Sequence, residues 1–311
     1  LPLEHLTAHR FDSPAILKKL ASSSRYLAEL KGVAASIPNQ GILINTLGLQ
    51  EAKDSSEIEN IVTTHDELFR DDVDPEALSN PATKEVMRYR QALRVGYEFV
   101  KNTGLLTVNH IVQIQRELER NKRFMNDANL MQVDPLIKMA LIHHQFESIH
   151  PFYDGNGRTG RIVNVLYLVK EGLLDIPVLY LSQHIVKTKP DYYRLLQKVR
   201  DNDAWEEWVM YMLEAVEQTA LRTIDTVQAI KITLMDYKHR IRTSHKFYSQ
   251  DLINHLFIHP YTKIEFLQHA LNVSRLTATK YLDVLVEDGF MTKHKVGRSN
   301  YYVNLALNQI L

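Results

Sequence analysis

His150-Pro151-Phe152-Tyr153-Asp154-Gly155-Asn156-Gly157-Arg158-Thr159-Gly160-Arg161 concentrates more chemistry than any other stretch of this 311-residue chain. His150 is the one side chain in the run whose ordinary pKa, about 6.5, lies near neutrality, so it is suited to take a proton from a hydroxyl nucleophile. Asp154 offers hard oxygen ligands, which suit Mg²⁺ better than a softer metal. Gly155 and Gly157 flank Asn156. Glycines this close let the backbone turn and aim successive N–H groups at one anion.

The residues that follow set this loop in a fold. From Thr159 to Glu171, Ile162, Val163, Val165, Leu166 and Val169 give the apolar density of a largely buried helix. The glycine cradle therefore falls at a helix N-terminus, where free N–H groups and the macrodipole favour phosphate. Arg158 and Arg161 are three apart, neighbours on one helix face, and their planar guanidinium groups suit phosphate oxygens. Singly, a Gly-x-Gly is usually a turn and a His before Pro is usually structural. The whole set in register is equipment for bringing a nucleoside triphosphate to a nucleophile.

The run resembles the signature of the Fic (filamentation induced by cAMP) family, His-Pro-Phe-x-Asp/Glu-Gly-Asn-Gly-Arg-x-x-Arg, at every specified position. The resemblance implies a Fic-type helical bundle and transfer of AMP from ATP to a protein hydroxyl, the chain's own included. His150 would deprotonate the acceptor and Asp154 would hold Mg²⁺. Gly155, Asn156, Gly157 and Arg158 would bind the α- and β-phosphates, with Thr159 and Gly160 in the same turn, and Arg161 the γ-phosphate. A related kinase branch carries Lys at the place of Gly157, so Gly157 favours nucleotidyl transfer.

Upstream, Ser55-Ser56-Glu57-Ile58-Glu59-Asn60 fits the family's inhibitory pattern Ser/Thr-x-x-x-Glu-Gly/Asn. In a helix Ser55 and Glu59 share a face. Alone the pattern is weak, since solvated glutamates on helices are common. Beside the signature it implies that Glu59 pairs with Arg161, because a guanidinium held by a carboxylate cannot also clamp phosphate. Ser55, Glu59 and Asn60 are the inhibitory residues expected on this basis. In the family a Tyr-Tyr pair helps wall the adenosine pocket; Tyr193 is the member assigned to the pocket here, while Tyr192 is left open between pocket and core.

Composition bounds the rest. Lys plus Arg and Asp plus Glu number 37 each, so bulk charge attracts neither nucleic acid nor membrane. There is no cysteine, which excludes disulfides, thiolate zinc sites and a cysteine nucleophile and fits a cytoplasmic protein. No apolar run suggests a membrane span and no secretion signal is visible at Leu1–His5.

The chain reads as mainly α. Residues 1–104 form an N-terminal helical extension, 105–215 the catalytic region, 216–245 a linking helix and 246–311 a separate module. Helices are expected from Ser13-Pro14 to about Lys31, over 51–69 around Glu59, from Ala82 to about Val100, over Thr107–Glu119, and from Asp134-Pro135 to about Ser148, with a looser stretch from Gly32 to Gly48. Trp205 and Trp208 are expected in the core. Family members usually carry a β-hairpin flap before the helix that delivers the catalytic His. The interval Arg120–Val133 is too short for one, and the expectation is that a segment near Asn121–Phe124 is missing rather than that the flap is lost.

In the last module, helices over Phe247–Phe257, from Thr262 to near Ala270 and over Ser274–Asp288 precede two short strands around a basic Gly-Arg turn. This order resembles a winged helix-turn-helix. Arg275, Thr277, Thr279 and Lys280 would face a major groove and Lys293, Lys295 and Arg298 a DNA backbone; contacts to protein, or a homodimer, are the other use of such a module. Two alternatives to an AMP-transferase follow: a nucleotide-sensing DNA-binding regulator, and a metal phosphohydrolase using His143, His144, His150 and Asp154. Adjacent histidines on one helix point about 100° apart, which weighs against the second.

Overall fold

Ser13 and Pro14 open the first long helix as their chemistry dictates: the Ser13 hydroxyl accepts the Ile16 N–H at 3.3 Å, and Pro14 occupies a position whose N–H is not needed. In the computed structural model, which describes residue 3 and residues 6–64, 67–68, 80–107, 109–110, 132–296 and 299–311, this helix, α1, runs Pro14–Ala35. It passes the expected stop at Gly32. An exposed mid-helix glycine costs about 1 kcal/mol, and burial of Leu30 and Ala34 offsets it.

α1 lies along α8, Trp205–Ser244, which at 40 residues is about 60 Å long. The Ser23 hydroxyl donates to the Leu213 carbonyl at 2.8 Å, and Arg10 reaches Asp203 at 2.6 Å and Glu206 at 2.7 Å across the same seam. α8 takes in the expected linking helix and the end of the expected catalytic region. Trp205 and Trp208 are buried, as their spacing predicts, and Trp208 Nε1 donates to the Ala140 carbonyl at 2.8 Å.

α2 is Gly41–Ile58. It starts earlier and stops sooner than the expected 51–69, so the stretch read as loose up to Gly48 is mostly helical. Gly48 is tolerated because its face packs against Tyr180. Glu59 is the C-cap, and Asn60 adopts the left-handed conformation, φ 63°, that ends many helices. α3, Pro81–Thr103, is capped by Asn80, whose Oδ1 accepts the Ala82 N–H at 3.0 Å, and stops at left-handed Gly104.

α4, Pro135–Ile149, begins as expected on Asp134, whose carboxylate accepts the Leu136 N–H at 2.8 Å. α5, Asn156–Lys170, packs against α4 and α3 and starts three residues before the expected Thr159. α6, Ser182–Lys187, and α7, Lys189–Asn202, complete the body of the fold around the buried α5. The helix expected over Thr107–Glu119 and the flap question at Asn121–Phe124 lie outside the described residues, apart from a helical stub at 109–110.

In the C-terminal module α9 is Gln250–Ile258, α10 Ile264–Leu271 and α11 Arg275–Glu287. The hairpin pairs β2, Met291–Val296, with β3, Ser299–Asn304, in antiparallel register Met291↔Asn304 to Val296↔Ser299. Two elements were not legible: a two-residue strand β1, Tyr261–Thr262, on the other edge of β3, and a closing helix α12, Leu305–Ile310. The three helices and hairpin follow the order expected of a winged helix-turn-helix. Of the residues expected to face DNA, Lys293 is tied to Asp283 at 2.8 Å, Thr279 donates back to the Arg275 carbonyl, Arg275 and Lys280 are exposed, and Arg298 lies outside the described residues. No helix among the described residues is long and apolar enough to cross a membrane.

Candidate active site

The site forms where α4 hands the chain to α5. His150 is the C-cap of α4, left-handed at φ 48°, with its N–H on the Phe146 carbonyl at 3.0 Å; Pro151 then forbids further helix. Gly155 stands at φ 78°, where a side chain would be strained, and turns the loop into the first turn of α5. The N–H groups of Asn156, Gly157 and Arg158 therefore have no acceptor within the helix and form the expected anion-directed cradle.

Asn156 is a staple of this loop. Its Oδ1 accepts the Phe152 N–H at 2.8 Å and its Nδ2 donates to the Phe152 carbonyl at 2.8 Å, which fixes the orientation of the amide. The second hydrogen on Nδ2 is directed at His150 Nδ1, 3.1 Å away. Nδ1 is thus the accepting nitrogen, and neutral His150 carries its proton on Nε2. The carboxamide is committed to the loop, so what Asn156 brings to an anion is its backbone N–H.

Asp154 is exposed beside the cradle. Its Oδ1 accepts the Gly155 N–H at 2.7 Å and its Oδ2 lies 3.5 Å from Arg158 Nη2. An exposed carboxylate next to a phosphate-directed helix N-terminus fits a hard divalent cation that completes its shell with ligand oxygens and water. Arg158 is held chiefly from α3, by Glu85 Oε1 at 2.5 Å.

Arg161 parts company with Arg158 and points into the protein. It is 1 % exposed. Nε donates to Ser55 Oγ at 2.8 Å, Nη2 to the Ser55 carbonyl at 2.9 Å and to Glu59 Oε1 at 3.0 Å. Ser55 and Glu59, expected on one face, thus close on one guanidinium. Asn60 stands aside: its Oδ1 accepts from Lys189 Nζ at 3.1 Å. Gly157 completes the contact, because a Cβ there would collide with Glu59 Oε1 and lie 2.8 Å from Arg161 Nη1.

Two buried carboxyls near Arg161 escaped the sequence. Glu51, one turn before Ser55 on α2, accepts from Tyr89 Oη at 2.9 Å and Ser182 Oγ at 2.5 Å. Burial pushes its pKa up to about 7, and burial does the same for Glu147 on α4. The signal was present only as helical spacing, Glu51-Ser55-Glu59 at i, i+4, i+8.

Tyr192 is core: it is 1 % exposed and its Oη lies 2.9 Å from His143 Nε2. Tyr193 is 46 % exposed, and partial burial, followed by the nearby charge of Glu59, raises the pKa of its phenol. Burial lowers the pKa of His143 to about 3 and of His144 to about 4, so both are neutral. His144 Nε2 faces the Leu196 carbonyl at 3.2 Å. Neither joins His150 and Asp154, and among the described residues no three His, Asp or Glu converge as a metal site. The phosphohydrolase alternative loses its ligand set.

Residues 17–98 match the sequence model described as Fic/DOC family N-terminal, and residues 234–307 the one described as protein adenylyltransferase SoFic-like, C-terminal domain. The chain belongs to the Fic family. It is similar to the protein adenylyltransferase Fic of Nematostella vectensis, 25 % identical over 225 residues, which are 67 % of this chain and 45 % of that protein. It is similar also to the protein adenylyltransferase fic-1 of Caenorhabditis elegans, 28 % identical over 115 residues, 37 % of this chain and 21 % of that one. The chain thus spans less than half the length of these curated relatives. Among solved structures, a Fic family protein from Desulfovibrio desulfuricans G20 shares the fold with a TM-score of 0.51 at 19 % identity, covering 94 % of this chain and 96 % of that one.

Proposed function

We propose that this Fic protein transfers AMP from ATP to a hydroxyl of a protein, its own chain included, and that Glu59 restrains it. The observation that carries the reading is the clasp of Ser55 and Glu59 on Arg161, directly over Gly157 at the phosphate cradle. The acceptor oxygen attacks the α-phosphorus, the bond to the β-phosphate oxygen breaks, and pyrophosphate leaves. The acceptor's proton passes to His150; since the Nδ1 lone pair is engaged by Asn156 at rest, that hydrogen bond gives way as the proton arrives. The N–H groups of Asn156 and Gly157 and the guanidinium of Arg158 bind the α- and β-phosphates, Thr159 and Gly160 shape the same turn, and Arg161 takes the γ-phosphate once Glu59 withdraws. Tyr193 flanks the adenosine.

Asp154 would hold Mg²⁺, which when bound neutralises phosphate charge. The reading includes a cytoplasmic setting and a division at about 104, 215 and 245 into inhibitory, catalytic, linking and C-terminal parts. DNA binding by 246–311 is not favoured, because this module matches the C-terminal domain model of a protein adenylyltransferase. The test is to incubate the full chain carrying Glu59→Gly with ATP labelled on the adenosine and a protein extract. Label should enter protein and vanish with His150→Ala; ATP hydrolysis without protein labelling would refute the reading.

A further inference from the structure

Gln50 joins α2, the helix of Ser55, to the far end of the chain. Its Nε2 donates to the Leu311 carbonyl, 261 residues away. α9 of the C-terminal module packs against the same helix, alongside α3, α5 and α6 from the body. The two module contacts come from one bonded unit. Asn304, fully buried at the N-cap of α12, donates from Nδ2 to the Leu256 carbonyl of α9 at 2.9 Å and accepts the Leu307 N–H of α12 on Oδ1 at 3.1 Å. α9 and α12 also pack on α8, and Tyr237 Oη on α8 donates to the Phe290 carbonyl at 2.9 Å, so the unit is anchored to the body.

At about 100° per residue, Gln50 lies about 140° around α2 from Ser55. The Leu311 contact is therefore made on the flank turned away from Arg161. On that flank α2 faces α8 across a small cavity of about 40 Å³, lined by Gln50, Asp54, Gln183, Thr219 and Arg222 among others. Polar groups around such a cavity contribute little apolar adhesion. The contact with the module supplies a directed bond where the packing is weakest.

We infer, on the proposed restraint by Glu59, that the C-terminal module braces α2 against α5, and that loosening this brace releases Glu59 from Arg161. The carboxylate of Glu59 occupies the space that a Cβ on Gly157 would fill, so the end of α2 is pressed onto the first turn of α5. Phosphates need that space, and the last turn of α2 has to yield to clear it. A retreat from α5 carries α2 toward the flank of Gln50. The bond to Leu311 is made in the seated position, so it biases the seated form over the withdrawn one by its own free energy. Helix shifts of this kind are small and carry a rigid element as a whole.

The experiment uses the full chain, with Glu59 present and with Glu59→Gly, and measures ATP affinity by calorimetry and amide exchange over Gly41–Ile58. Gln50→Ala removes the donor. Gln50→Glu keeps the side chain's length and sets a carboxylate against the Leu311 carbonyl. With Glu59 present, each should raise ATP affinity roughly five-fold, the scale of one ordinary hydrogen bond, and speed exchange in α2. In Glu59→Gly each should leave ATP affinity within about two-fold, since no carboxylate remains to be held. Gln50→Ala is the milder change and decides the matter should Gln50→Glu fail to fold. A Gln50 that only stabilises the fold would lower the melting temperature without raising ATP affinity in either background, and that result overturns the inference. An equal gain in both backgrounds overturns it too, and leaves the proposed function standing. If Glu59→Gly alone gains no ATP affinity or transfer, the restraint and the brace fall together.

Discussion

The carboxylate of Glu59 lies against the α-carbon of Gly157, in the space that any side chain at 157 would fill. A carboxylate thus rests on the first turn of α5, where the proposed phosphates would go. The same missing Cβ serves both occupants, and it makes position 157 a test of the reading that is independent of charge.

Gly157→Ala should weaken nucleotide binding without activating transfer. The new methyl group displaces the flexible end of Glu59 and crowds Arg161 Nη1 at 2.8 Å. It therefore breaks the clasp, yet it also covers the N–H groups of the turn. ATP affinity should fall at least roughly ten-fold, about 1.4 kcal/mol, in both the parent and the Glu59→Gly background. Thermal stability should change little, because alanine is the better helix former. Activation of the Gly157→Ala protein would show that the cradle is not where phosphate binds.

Glu59→Gly should instead raise the rate or the ATP affinity by about ten-fold to a hundred-fold, the worth of a charge-assisted contact of roughly 1.5–3 kcal/mol. Arg161 would remain a buried cation, but Ser55 keeps its two hydrogen bonds and the buried Glu51 and Glu147 lie within its field. The variant should therefore fold. Arg161→Ala should show no gain, and the double variant should behave as Arg161→Ala alone. Wild-type activity in Glu59→Gly, with a competent acceptor present, would return Glu59 to an ordinary helix cap.

His150→Ala should abolish transfer and leave ATP binding within a few-fold, because the imidazole touches Asn156 and not the cradle N–H groups. Asn156→Ala should be worse for binding, since it removes the three hydrogen bonds that fix the loop from His150 to Phe152. Calorimetric ATP titration of the two variants separates the roles; equal loss of binding in both would make His150 a structural residue.

How much of this could be read in the sequence depended on distance along the chain. Ser13-Pro14 and Asp134-Pro135 announced helix starts because a cap acts within three residues. The His150–Arg161 run announced the site because its members lie in one turn and its flanks. Gly32 and Gly48 misled, since exposure at one and packing on Tyr180 at the other decide whether a helix tolerates glycine. Glu85 and Glu51 were silent for the same kind of reason. A glutamate on a helix usually meets water, and these two are set apart by partners 73, 38 and 131 residues away. Strand β1 is only two residues long and owes its existence to β3.

Glu51 gives the last prediction, in stability and its pH dependence. Its carboxyl has a pKa near 4.5 when unfolded and about 7 in the folded protein, with burial as the first cause, offset in part by the Ser182 and Tyr89 hydrogen bonds. A raised acid pKa means that the folded state keeps the proton while the unfolded chain releases it. The contribution is therefore fully present below about pH 4.5, is lost between about pH 4.5 and 7, and is flat above. At about 1.36 kcal/mol per unit the loss is on the order of 3 kcal/mol. Glu51→Gln keeps an oxygen for Tyr89 and Ser182 and cannot ionise. Its buried amide nitrogen adds a constant cost, since Glu51 Oε2 has no partner there. The difference in melting temperature, variant minus parent, should accordingly rise from pH 5 to pH 7.5 by several degrees, at roughly 2–4 °C per kcal/mol, and then level. Glu147 and the buried histidines titrate alike in both proteins and cancel from the difference. Thermal melts at half-unit pH intervals decide it, and a difference that is flat with pH would mean that Glu51 is ionised throughout in the folded protein.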